Sequence, residues 1–92
     1  MWKDKKVNRT KIMIYDEILE RYQDEELLIA DGFNKAIIGI EDKSLRLIYS
    51  VKKCLEILQK DMSYEEASEY FDFNVSGAYV GEKTPIWCYD DF

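Results

Sequence analysis

Gly77 and Gly81 stand four residues apart ahead of Glu82, Lys83 and Thr84, so backbone amides, an ammonium and a hydroxyl lie close enough along the chain to receive an anionic group. The order departs from a phosphate loop, which ends Gly-Lys-Ser/Thr at the start of a helix; here Pro85 follows. A tight connection from a helix back into a sheet accounts for the same residues with less. A binding loop is the alternative, because loops on rigid scaffolds often carry function, and it makes Gly77, Tyr79, Gly81, Glu82, Lys83, Thr84 and Trp87 the candidate site. Under that alternative Lys83, Thr84 and the glycine amides contact phosphate while Tyr79 or Trp87 stacks on a base.

Covalent chemistry finds little else to use. The chain has no histidine, which excludes a Ser-His-Asp triad, a Cys-His pair, a His-ligated zinc and an imidazole base. Cys54 falls in the apolar stripe of a helix, where a free cysteine acts as a small hydrophobe, and Cys88 reads as a structural residue of a strand. The carboxylates Asp16, Glu17, Glu20, Asp24, Glu25 and Glu26 lack the spacing of a calcium loop and read as a solvated face. These residues predict a protein that is not an enzyme and takes no metal or cofactor.

Charge narrows the partners. Lys3, Lys5, Lys6, Arg9 and Lys11 against Asp4 give residues 1–11 a charge of +4; the whole chain carries −6, so residues 12–92 carry −10. An acidic body repels phosphates and argues against nucleic-acid recognition, although carboxylates arrayed along a surface can mimic a nucleic acid. Residues 1–12 read as a flexible basic extension and 13–92 as one globular domain. No signal peptide, apolar run of membrane-spanning length or lipidation signal is read, which predicts a cytoplasmic setting with reduced thiols and no membrane partner.

The elements that must position the loop follow from periodicity. Tyr15, Ile18, Leu19 and Tyr22 recur at helical spacing, and Asp31-Gly32 breaks the chain after an ambiguous stretch from Glu25 to Ala30. Residues 36–40 and 45–49, rich in β-branched and aromatic side chains, predict a hairpin over 36–49. Ser50 caps a second helix carrying Val51, Cys54, Leu55 and Leu58 on one face. Ser63-Tyr64-Glu65-Glu66 is a capping box that starts a third helix at Tyr64, with Ala67, Tyr70, Phe71 and Asn74 inward and an end before Gly77. The fold class is α+β: a small antiparallel sheet, made of the hairpin and a C-terminal extended strand, packed against three helices. At 92 residues and 14% aromatic, the chain has more rings than a small core encloses. Tyr22, Tyr64, Tyr70, Tyr79, Trp87, Tyr89 and Phe92 supply candidate interface surface.

Taken together, Asp31-Gly32-Phe33, the run 36–40, Ile48-Tyr49-Ser50, residues 54–58, residues 62–67 and the motif from Glu69 to Pro85 resemble a family of small bacteriophage and prophage proteins. The resemblance spans roughly residues 13–87. It implies no named activity and transfers no catalytic or binding residue. What it implies is a context, an accessory protein that binds a host protein in the infected cytoplasm, a defence component being one candidate. The second expectation is an oligomeric small-molecule binder, a sponge for an anionic nucleotide-like signal, with self-association completing its pocket.

Overall fold

In the computed structural model, residues 2–4 and 13–92 are described. The first helix, α1, spans Ile14–Arg21 and lays Tyr15, Ile18 and Leu19 into the core. Its entry is held by Asp16, whose Oδ2 accepts a hydrogen bond from the Met13 amide at 3.1 Å. A carboxylate in the first turn also meets the positive end of the helix dipole. The chain leaves the helix at Tyr22 and enters a short strand, β2, at Leu28–Ala30; Gly32, at φ +94°, then makes the turn that a side chain would strain. The strand preceding α1 in sequence, β1 at Trp2–Asp4, pairs antiparallel with β2, opposing Trp2 to Ala30. Those three residues fall inside the segment read as a flexible extension; the rest of that segment lies outside the described residues.

After a 3₁₀ turn at Asn34–Ala36, β3 (Ile37–Ile40) and β4 (Leu47–Ser50) form the expected hairpin. They pair antiparallel with an irregular register between Ile37 and Gly39. The connecting turn is organised by Glu41, whose carboxylate accepts hydrogen bonds from the Lys43 amide at 3.1 Å and the Ser44 amide at 2.7 Å. Leu45 sits there at φ 56°, a left-handed conformation uncommon outside glycine, and its amide donates to the Glu41 carbonyl at 2.9 Å.

The sheet's third strand, β5 (Ile86–Cys88), pairs with β4 in parallel, so the three-stranded sheet is mixed, in the order β3-β4-β5, and not wholly antiparallel as expected. The reason is the crossover. Between β4 and β5 the chain runs through two helices, long enough to return in the same direction, whereas a tight turn permits only antiparallel pairing. The class, α+β with helices against a small sheet, is as expected.

Strand β4 feeds straight into α2 (Val51–Leu58) through Ser50. The Ser50 hydroxyl accepts from the Lys53 amide at 3.2 Å and donates to Asp90 Oδ1 at 2.7 Å, so one side chain caps the helix and ties down the C-terminal segment. The third helix, α3, spans Tyr64–Tyr70 behind the Ser63–Glu66 capping box, both of whose hydrogen bonds form. It continues as a π-helical segment over Phe71–Ser76. That widening changes the inward face: Ala67, Phe71 and Val75 are buried at a spacing of four, while Tyr70 and Asn74, expected inside, are exposed. An i→i+5 winding turns less per residue than an α-helix, and the blend of the two keeps every fourth residue over the sheet. Among the described residues no helix is long and apolar enough to cross a membrane.

Gly77 closes the π-helical segment without a left-handed backbone, at φ −79°. Its requirement is steric: a Cβ there would run into the carbonyl oxygen of Asp72, a backbone atom that cannot step aside. Gly77→Ala should therefore cost about 1–3 kcal/mol, the usual range for overpacking. Gly39→Ala, where a Cβ would meet nothing within 4 Å, should be close to neutral. Urea unfolding of the two variants side by side checks this; equal effects would show that the wide turn is not fixed by Gly77.

Candidate binding site at the Gly77–Trp87 loop

The loop is built by Thr84. Its hydroxyl accepts from the Val80 amide at 2.9 Å and donates to the Gly81 carbonyl at 2.6 Å, while its own amide donates to the same carbonyl at 3.1 Å. Gly81, at φ +114°, supplies the backbone conformation this turn needs. Two further bonds fasten the turn to the hairpin: Arg46 Nε donates to the Thr84 carbonyl at 2.5 Å, and Lys83 Nζ donates to the Ser44 carbonyl at 2.7 Å. Ser44 is in turn fixed by Glu41. The candidate loop and the β3–β4 turn form one hydrogen-bonded unit.

This geometry divides the expected site residues. Trp87 lies on β5 with its ring between Tyr49, at a centroid distance of 5.0 Å, and Phe71, met edge-on at 5.4 Å; it packs against the core and offers no free stacking face comparable to Tyr79. Thr84 is buried and its hydroxyl is committed within the turn. Gly77 serves the helix end. Tyr79, 78% exposed, and Glu82 reach solvent. Lys83 lines a cleft of about 260 Å³ with Glu26, Leu27, Leu28, Val80 and Glu82. One ammonium that already serves a carbonyl shares that cleft with two carboxylates, so the cleft does not favour a phosphate.

The loop itself holds no cysteine. Cys54 is fully buried, and that burial pushes its thiol up to about 12, far from the thiolate a reaction needs. Burial likewise raises the phenol of Tyr49 above the ordinary tyrosine range. Among the described residues no three His, Cys, Asp or Glu side chains converge on a point where a metal ion would be held.

The residue the sequence reading passed over is Phe73, 82% exposed on the π-helical segment. A signal was present: Phe73 is two residues from both Phe71 and Val75, so any helix that buries those two turns Phe73 outward. Of the surplus aromatics, Tyr64, Tyr70, Tyr79, Tyr89 and Phe92 are exposed, whereas Tyr22 and Trp87 pack against the core. No family model matches the chain, and no curated protein or solved structure does either.

Two measurements test the loop's construction. Thr84→Val keeps the shape and removes the hydroxyl, leaving the Val80 amide without its partner; the expected loss is about 1–3 kcal/mol in urea unfolding, with Thr84→Ser close to wild type. The Glu41 carboxyl, favoured in its charged form by Ser44 beside it and then by the Lys43 amide, is pulled down to about 2. Because the folded value lies below that of an unfolded glutamate, about 4.3, the stabilisation is complete above that pH and is lost as pH falls toward 2. A carboxyl NMR titration should place the Glu41 midpoint near 2. A midpoint near 4 would mean that the turn does not hold the carboxylate.

Proposed function

We propose that this chain is a non-enzymatic binding protein that docks on another protein through its exposed aromatic side chains, with the host cytoplasm of an infecting phage as its setting. The carrying observation is the set of large rings left in water on ordered backbone: Phe73 at 82%, Tyr79 at 78%, Tyr89 at 65% and Tyr64 at 61% exposed. Single exposed rings are ordinary on a protein surface, but tyrosine and phenylalanine are the residues that concentrate at interfaces and carry their energy. The support from the loop is mechanical. Tyr79 projects from a turn already fixed by Thr84, Lys83 and Arg46, so little backbone entropy remains to be lost when a partner closes on it. The resemblance of residues 13–87 to small bacteriophage and prophage proteins supports a host protein as the partner, a defence component included. An oligomeric sponge for an anionic nucleotide-like signal is less well supported, because Glu26 and Glu82 share the cleft with Lys83.

Affinity capture from bacterial lysate, using the wild type beside a Tyr79→Ala/Phe73→Ala double variant, tests the reading. Recovery of a stoichiometric partner by the wild type and its loss with the folded variant is the expected result. Absence of any partner at high protein concentration, or a thermal shift with a panel of nucleotides, would reject it.

A further inference from the structure

A groove of about 510 Å³ runs between the α2–α3 turn and the π-helical segment, lined by Asp61, Met62, Glu66, Glu69, Tyr70 and Phe73. We propose that this groove is the docking site for a cationic segment of a partner protein, Lys or Arg side chains meeting its acidic rim while an apolar side chain packs on Phe73. The inference rests on the protein-binding reading above and names the face and the chemistry of the partner.

Three observations converge. First, the floor is apolar and cannot be withdrawn: Phe73 projects from the side opposite the buried Phe71 and Val75, with Tyr70 exposed on the flank of the same helix, so turning the helix to cover Phe73 would uncover the core. Second, the rim has one sign. The groove's charged lining residues are Asp61, Glu66 and Glu69, and residues 61–82 hold not one Lys or Arg. Lys60, the nearest cation in sequence, lines a separate groove with Lys35 and Ile57. Third, the hydrogen bonding of Glu66 to the amide and hydroxyl of Ser63 holds that carboxylate in place on the rim and lowers its pKa, which favours its charged form.

An apolar centre with a charged rim matches the anatomy of a protein interface. Complementarity then selects the occupant. A nucleic acid or an acidic peptide meets repulsion along the whole rim, and so does the same face of a second copy. A segment bearing Lys or Arg meets carboxylates at both walls, and its methylene stems and cationic heads suit the faces of Tyr70 and Phe73.

The probe is a fluorescein-labelled amphipathic helical peptide with Lys and Arg flanking a Leu stripe, paired with a control in which Glu replaces every Lys and Arg; binding is read by anisotropy. The cationic peptide should bind, with an affinity that falls as salt rises, and the acidic control should not. Phe73→Ala and Glu69→Lys should each weaken binding on the order of tenfold, with Glu69→Gln in between, and all three should keep the wild-type melting temperature. NMR shift changes should map to residues 62–74. Failure of the cationic peptide to bind, equal binding of both peptides, indifference to Phe73→Ala and Glu69→Lys, or sedimentation showing a wild-type dimer that Phe73→Ala dissolves would each overturn the proposal. Lysate capture distinguishes the two levels: a partner lost with Tyr79→Ala but kept with Phe73→Ala and Glu69→Lys removes this groove and leaves protein binding standing.

Discussion

One buried hydroxyl adds a directional bond between parts of this molecule that otherwise meet only through apolar packing. Tyr49, fully buried on the central strand β4, accepts a hydrogen bond from the Ala30 amide at 2.8 Å, which ties the β1–β2 pair to the three-stranded sheet. The same ring packs on Trp87 of β5, and Trp87 meets Phe71 of the π-helical segment. An unpartnered amide at Ala30, itself fully buried, would carry a desolvation cost of about 1–3 kcal/mol, so β2 has reason to stay against the sheet. The bond requires the phenol to remain deep in the core, and its raised pKa reports that depth. A small domain can depend on a single buried polar contact in this way because its apolar core alone leaves a narrow margin of stability.

From Tyr49 the constraint passes outward to the surface that is available for binding. Trp87 fixes β5, β5 fixes the position of Pro85 and Thr84, and Thr84 shapes the turn from which Tyr79 projects. On the other side Phe71 and Val75 fix the π-helical segment, which turns Phe73 to solvent. The exposed rings are thus coupled to the buried ones through short, rigid connections.

Local signals were legible in the sequence and non-local ones were not. The caps at Ser50 and Ser63 are read correctly because a hydroxyl and an amide three residues away decide them without reference to the rest of the chain. The stripe of Tyr15, Ile18 and Leu19 works for the same reason. The direction of β5 depends on where two helices deliver the chain, and nothing within Ile86–Cys88 records that. Trp87 and Tyr79 look alike as aromatic residues near glycines, yet one faces Tyr49 and the other faces water, a difference set by partners far away in sequence. The inward face of α3 was misassigned by assuming α-helical winding throughout. The spacing of Ala67, Phe71 and Val75 already contained the correct answer, and the wide turn that follows from it leaves no room for a Cβ at Gly77.

The outward rings have an energetic consequence that the inward ones do not share. Burying a phenylalanine is worth about 1.5–3 kcal/mol, and the fold forgoes that at Phe73. A rotation of this helix cannot recover it, because Phe71 and Val75 occupy the opposite side of the same turns and would be exposed in exchange. A contact that leaves the helix in place covers Phe73 without that exchange. With the helix already ordered, the apolar gain is then offset by fewer ordering costs than a flexible loop would carry. The carboxylates near it in sequence, Glu66, Glu69 and Asp72, complement a surface of opposite charge and repel one of their own sign.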